Sequence, residues 1–130
     1  PIFFDYGKNI FIGKNFYANF NTTILDVCPV TIGNNVMLGT NVSLLTPLHP
    51  LKYQERNPKQ MPNGEITVLE YGKPIKIGNN CWLASNVTVV GGVTIGDGSV
   101  IGAGSVVTRD IPPNSFAAGN PCKVIREIDN

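Results

Sequence analysis

The chain has 130 residues, with 10 Lys and Arg against 9 Asp and Glu, one His, and a net charge of +1. That near-neutral balance argues against a nucleic-acid binder, which shows a basic face or stripe, and no apolar run is long enough to span a membrane as a helix. Only 15% of residues are charged, which predicts that part of the surface is covered, most simply by further copies of the same chain. Three scattered cysteines, Cys28, Cys81 and Cys122, match no metal-ligand spacing and read as reduced thiols. The chain starts at Pro1 rather than Met, so a native N-terminus is expected to precede it; no secretory signal is visible, and reduced thiols point to a cytoplasmic setting.

In chain order the dominant feature is an aliphatic residue that returns every six positions. Ile12 and Ala18 start the beat, and Ile32, Leu38 and Leu44 continue it. Between Ile24 and Ile32 the step is eight, with Cys28-Pro29 in the excess. From Ile77 the beat is strict: Leu83, Val89, Ile95, Ile101, Val107. Six matches neither the helical period of about 3.6 nor the strand period of 2. It fits a chain wound as a coil with flat sides and one inward residue per side, a hexapeptide β-helix. Gly33-Asn34-Asn35, Gly78-Asn79-Asn80 and Gly96-Asp97-Gly98 supply corners, because Gly and Asn accept left-handed backbone.

The beat vanishes across an inserted loop of about residues 46–73, rich in Pro and charge, which carries the only histidine, His49. A loop of that length without structure of its own is usually functional or disordered. Strict repeats then run to Val107. The tail, about residues 110–130, has turns at Ile111-Pro112-Pro113-Asn114 and Gly119-Asn120-Pro121. Cys122 to Ile128 reads as a short strand or one helical turn, placed to cap the open end of the coil. Residues 1–130 are expected to form one domain.

Three stretches carry a resemblance: Asp5-Tyr6-Gly7 with Ile12-Gly13 and Asn19-Phe20-Asn21; Leu25-Asp26-Val27-Cys28-Pro29-Val30 with Thr46-Pro47-Leu48-His49-Pro50-Leu51; and Ile95-Gly96-Asp97 through Gly119-Asn120-Pro121-Cys122-Lys123-Val124-Ile125. Together the chain resembles the maltose and galactoside O-acetyltransferases of the hexapeptide superfamily. The resemblance implies an all-β, left-handed parallel β-helix with three sixes to a coil, a long inserted loop and a short C-terminal cap. It also implies a homotrimer with active sites in the clefts between subunits, acetyl-CoA as co-substrate with no metal, and a small-molecule acceptor hydroxyl on a sugar or similar compound. One departure is that family members usually carry a helical segment ahead of Asp-Tyr-Gly, a segment that helps build the acceptor pocket.

His49 by itself reads equally as a solvated loop residue. Moving an acetyl group to an alcohol needs a base, an imidazole titrating near pH 6.5 suits that work, and the resemblance makes His49 the general base. A carboxylate usually orients such a base, and Asp26 and Glu70 are the candidates, each of which reads equally as a surface carboxylate. Asn19 is the acceptor-side candidate, since an amide both donates to and accepts from a sugar hydroxyl; the competing reading is corner chemistry. Tyr17 and Tyr71 can stack on a sugar ring or pack between subunits. By resemblance the Ser85 N–H donates to the thioester oxygen, and Ala84, Ala103 and Thr108 touch the pantetheine arm. Arg109, Lys123 and Arg126 gather towards the C-terminus as a set for the coenzyme phosphates. Trp82 reads as a subunit contact or corner-packing residue. An antibiotic- or xenobiotic-acetylating enzyme of the same fold is the alternative, and a non-catalytic scaffold the third. A zinc lyase on this coil needs three histidines at one metal, and the chain has one.

Overall fold

Short runs of Val, Ile and Leu bounded by Gly and Asn make strands too brief to stand alone, so they stack on the equivalent strands of the next coil. The computed structural model describes residues 1–130. The first coils comprise β1 (Ile2–Phe4), β2 (Ile10–Ile12), β3 (Tyr17–Ala18), β4 (Thr22–Leu25), β5 (Val30–Ile32), β6 (Met37–Leu38) and β7 (Ser43–Leu45). The insertion follows with β8 (Pro47–Leu48), the helical turn α1 (Tyr53–Arg56), β9 (Lys59–Gln60), β10 (Ile66–Thr67) and β11 (Tyr71–Gly72). The coil resumes with β12 (Ile75–Ile77), β13 (Trp82–Leu83), β14 (Thr88–Val90), β15 (Thr94–Ile95), β16 (Val100–Ile101) and β17 (Val106–Val107). It closes with β18 (Ser115–Gly119) and β19 (Cys122–Glu127).

These strands form the three faces of a prism. One face is β1-β4-β7-β14-β17, the second β2-β5-β12-β15, and the third β3-β6-β13-β16-β18-β19. Pairing along each face is parallel, and residues meet partners three sixes further on, as Lys76 meets Thr94 and Trp82 meets Val100. The fold is a left-handed parallel β-helix. The last pair, β18 and β19, is antiparallel, so the tail ends as a strand rather than a helical turn. No helix is long and apolar enough to cross a membrane.

The six-residue beat marks a column of the core from Ile32 to Val107: Ile32, Leu38, Leu44, Ile77, Leu83, Val89, Ile95, Ile101 and Val107 are all buried. The expectation of one inward residue per side is corrected to two. Val30, Val36, Val42, Ile75, Cys81, Val87 and Val93 form a second buried column, two residues ahead of the first. Each flat is a strand, so positions i and i+2 share a face and both point inward. Ile12 is also corrected: it is 47% exposed, because no coil is stacked on that side of β2. The extra residues between Ile24 and Ile32 form a wider corner that holds the buried carboxylate of Asp26. Positive φ occurs at Asn15, Asn35, Asn80 and Gly98 along one edge, and at Asn21, Asn41, Asn86 and Gly104 along another. There the chain turns through left-handed backbone that these two residue types accept most readily.

The insertion has structure of its own, against the expectation of a bare loop. β8 and β11 pair antiparallel at its neck, and β9 and β10 form a hairpin at its tip. Every residue from 51 to 70 is exposed, so the arm stands off the prism.

Candidate functional site

His49 follows β8 directly, and the neck of the arm fixes where it starts. Thr46 is buried; its hydroxyl donates to the Leu25 carbonyl at 2.6 Å and accepts from the Cys28 N–H at 3.0 Å. Across the neck, a Cβ on Gly72 would sit 2.8 Å from the Cys28 sulfur and 3.0 Å from the Thr46 carbonyl oxygen, so only glycine fits. Pro50, next to the histidine, is buried. A rigid base therefore carries an exposed imidazole.

The ring itself is oriented by a backbone carbonyl. His49 Nδ1 lies 2.8 Å from Leu69 O. A carbonyl only accepts, so Nδ1 holds the proton and Nε2 keeps its lone pair. That is the tautomer a general base requires. Glu70 Oε2 lies 3.9 Å from Nε2, and both side chains are 43% exposed. An exposed pair at this distance contributes little to stability. Its chemical value is that a carboxylate stands beside Nε2 when the ring takes up a proton. Of the two carboxylate candidates, Glu70 is the one beside His49.

Asp26 is corrected. It is fully buried, so neither an acceptor nor the exposed imidazole reaches it. Its Oδ1 accepts from the Tyr6 N–H at 2.9 Å and its Oδ2 from the Asn9 N–H at 3.2 Å. It ties the turn between β1 and β2 to the wide corner. Burial alone pushes the carboxyl pKa up, but the N–H donors of Tyr6, Gly7 and Asn9 outweigh it, and the net shift is downward. A depressed folded-state pKa adds stability that is complete above the ordinary aspartate value of about 4 and is lost as pH falls through the folded value. Asp26→Asn is therefore expected to cost about 1–3 kcal/mol at neutral pH. It should also flatten the stability profile below about pH 4, as read by urea melts across pH. A variant with the parent's acid profile would remove this role.

The other candidates fall on different edges. Asn19, Ala84, Ser85 and Ala103 gather where the third face turns into the first, and all four line one groove of about 520 Å³. Its outer wall is a ladder of outward side chains from adjacent strands: Tyr17 beside Met37, Met37 beside Trp82, Trp82 beside Val100, Val100 beside Phe116. Asn19 Oδ1 accepts from the Phe20 N–H at 2.8 Å, so its corner chemistry is real and its Nδ2 remains as a donor. The Ser85 N–H has no acceptor among the backbone or side-chain hydrogen bonds. Ser85 lines the groove between two small residues, Ala84 and Ala103.

His49 does not line this groove. The arm leaves the prism where the first face turns into the second. Thr108 and Arg109 lie along that same edge, two coils on, and both are exposed. Tyr71 sits in the neck, paired with Leu48. Lys123 and Arg126 are exposed on β19, and neither they nor Arg109 make an ion pair within the chain. No three His, Cys, Asp or Glu side chains converge as a metal site.

The sequence reading missed Thr40, whose Oγ1 lies 3.0 Å from Ser85 Oγ, and the groove wall of Met37, Val100 and Phe116. The three-sixes spacing points from Trp82 to Val100. The insertion hides the relation of Trp82 to Met37.

Comparison with known proteins bears on the fold and the family. The model of the bacterial transferase hexapeptide (six repeats) matches residues 74–109, and that of the hexapeptide repeat of succinyl-transferase matches residues 21–46. Galactoside O-acetyltransferase of Escherichia coli (strain K12) is 56% identical over 100% of this chain and 60% of that protein. The crystal structure of a maltose O-acetyltransferase from Clostridium difficile 630 has a TM-score of 0.89 at 52% identity, covering 100% of this chain and 65% of that one. A hexapeptide-repeat containing acetyltransferase from Vibrio cholerae has a TM-score of 0.87 at 35% identity, covering 100% and 69%. A galactoside acetyltransferase solved in complex with coenzyme A has a TM-score of 0.88 at 56% identity, covering 99% and 60%. The chain spans about three fifths of the curated relatives it matches, from 58% to 61% of their length.

Proposed function

This chain belongs to the maltose and galactoside O-acetyltransferase family of hexapeptide-repeat acyltransferases, and from that membership we propose that it moves an acetyl group from acetyl-CoA to a hydroxyl of a sugar or related small molecule. The observation that carries the reading is the pair of half-sites. One edge presents a tautomer-locked imidazole on an arm, and another presents a groove with an open amide. Two chemically complementary halves on different edges support a site assembled between copies. The proposal is a homotrimer in which His49 of one copy faces the groove of the next. The proposed setting is the cytoplasm, which suits three unpaired cysteines.

In this reading His49 Nε2 takes the proton of the acceptor hydroxyl as its oxygen attacks the thioester carbonyl carbon. The Ser85 N–H donates to the carbonyl oxygen as negative charge develops there. An O–C bond forms, the C–S bond breaks, and the imidazolium returns its proton to the departing thiolate. The Nδ1–H donated to Leu69 O holds the ring throughout, and Glu70 favours the transient imidazolium. Asn19 Nδ2 positions the acceptor. Ala84, Ala103 and Thr108 give the slender pantetheine arm room, and Arg109, Lys123 and Arg126 face its phosphates.

The test is thiol release by the full-length protein from acetyl-CoA, with galactosides, maltose, other sugars and aromatic antibiotic alcohols as acceptors. Release driven by sugars supports the reading. Release driven only by antibiotic acceptors replaces the acceptor class. Neither release nor heat on titration with acetyl-CoA would reduce the chain to a scaffold.

A further inference from the structure

Several corner amides of the coil are capped by a side chain of the next coil, and the Ser85 amide is not. Along the edge between the second and third faces, exposed turn amides are capped by the equivalent side chain of the next coil. Lys14 N–H donates to Asn34 Oδ1 at 2.8 Å, Asn34 N–H to Asn79 Oδ1 at 2.8 Å, and Asn79 N–H to Asp97 Oδ1 at 2.7 Å. On the edge beside the groove one corner follows the same pattern. Thr40 N–H faces Ser85 Oγ at 3.3 Å, and the Thr40 and Ser85 hydroxyls lie 3.0 Å apart. Phe20 N–H is capped by its neighbour Asn19 at 2.8 Å.

By register, Leu38, Leu83 and Ile101 are stacked, so Thr40, Ser85 and Ala103 are equivalent corner residues. The side chain due to cap Ser85 N–H is therefore that of residue 103, an alanine with no acceptor. Ser85 N–H accordingly has no cap; Asp97 under Pro113 and Ala103 under Gly119, where the next residue likewise offers no acceptor side chain, have none either. On the side of the preceding coil Gly39 packs against this amide, where a Cβ would lie 2.6 Å from Ser85 N.

We propose that Ala103 is a positioning residue whose lack of a hydrogen-bonding side chain keeps the Ser85 N–H free to receive the thioester oxygen. This rests on the acetyltransferase reading and adds to it. The contact with the coenzyme arm asks only that residue 103 be small, whereas the capping pattern asks that it carry no acceptor. Serine separates the two demands, because it is small and is the residue that caps Thr40 one coil earlier.

The experiment compares the parent with Ala103→Ser and Ala103→Cys, the second matching serine in size with a weak acceptor. Three quantities are read: kcat by thiol release, the Kd of acetyl-CoA by calorimetry, and amide exchange at Ser85 by NMR without ligand. In Ala103→Ser the amide must break its new bond before donating to substrate, so kcat is expected to fall about tenfold. Its Kd is expected to stay within about threefold, and Ser85 exchange to slow. Ala103→Cys is expected to lose clearly less kcat than Ala103→Ser and to leave Ser85 exchange as in the parent. Slowed exchange in Ala103→Ser with an unchanged kcat would overturn the proposal, as would an equal loss in both variants, which marks bulk as the cause. A parent without activity on any acceptor overturns the underlying reading instead, and the exchange comparison still reports on the cap.

Discussion

Replacing His49 with alanine is expected to lower kcat by about two to four orders of magnitude, the usual contribution of a general base. The loss should fall on turnover and not on coenzyme affinity, because the imidazole lies away from the groove that holds Ala84 and Ala103, two of the residues proposed to touch the coenzyme. It should not fall on folding either. His49 is exposed, its ring bonds only to the Leu69 carbonyl, and the arm beyond it buries nothing from residue 51 to 70. A thermal melt within about a degree of the parent's, beside a collapse in kcat, is the signature of a chemical rather than a structural role. Glu70→Gln provides the graded comparison. Removing the charge beside Nε2 leaves the Nδ1 bond and the lone pair intact, so turnover should fall only about tenfold. A His49→Ala enzyme within about threefold of the parent would end the assignment of the base.

The fold was legible because a core column repeats with a single period, and a period survives ignorance of every contact. Leu83 and Ile101 are visible as core in the bare sequence for that reason. The second inward column was harder to see. Its members include Ser99 and Ser105, which do not read as core by type, although both are buried. Ser99 and Ser105 are tolerated there because each hydroxyl donates to a backbone carbonyl, of Pro112 and Gly102 respectively. Asp26 misled for a related reason. A carboxylate in an irregular stretch looks available for chemistry until its backbone donors are seen. The site was legible as a set of residues and not as a place. His49 and Ser85 lie on different edges of the prism, and that placement supports the proposal of a shared site expected from the resemblance. The amide of Ser85 was named only through the resemblance, since an N–H without a partner has no residue type. Its lack of a cap emerges from register, from the coincidence that Ala103 falls where the preceding corner has a serine.

The division into halves makes its own strong prediction. His49→Ala damages only the arm, and Ala103→Trp, at an exposed position in the groove, fills only the groove. Each variant alone should retain about a hundredth of parent activity or less. In a proposed trimer every site joins the arm of one copy to the groove of the next. When the two variants are unfolded together and refolded at equal amounts, an Ala103→Trp copy supplies an intact arm and a His49→Ala copy an intact groove. Random assortment puts that pair, in that order, at about one site in four, so activity should return to about a quarter of the parent's. The recovery should require exchange of subunits: mixing the two variants already folded should leave them at the sum of their separate activities. Recovery cannot arise within one chain, where each variant carries its defect in every copy. A refolded mixture that never rises above that sum, while migrating as mixed oligomers, would place arm and groove in the same subunit and dissolve the shared site.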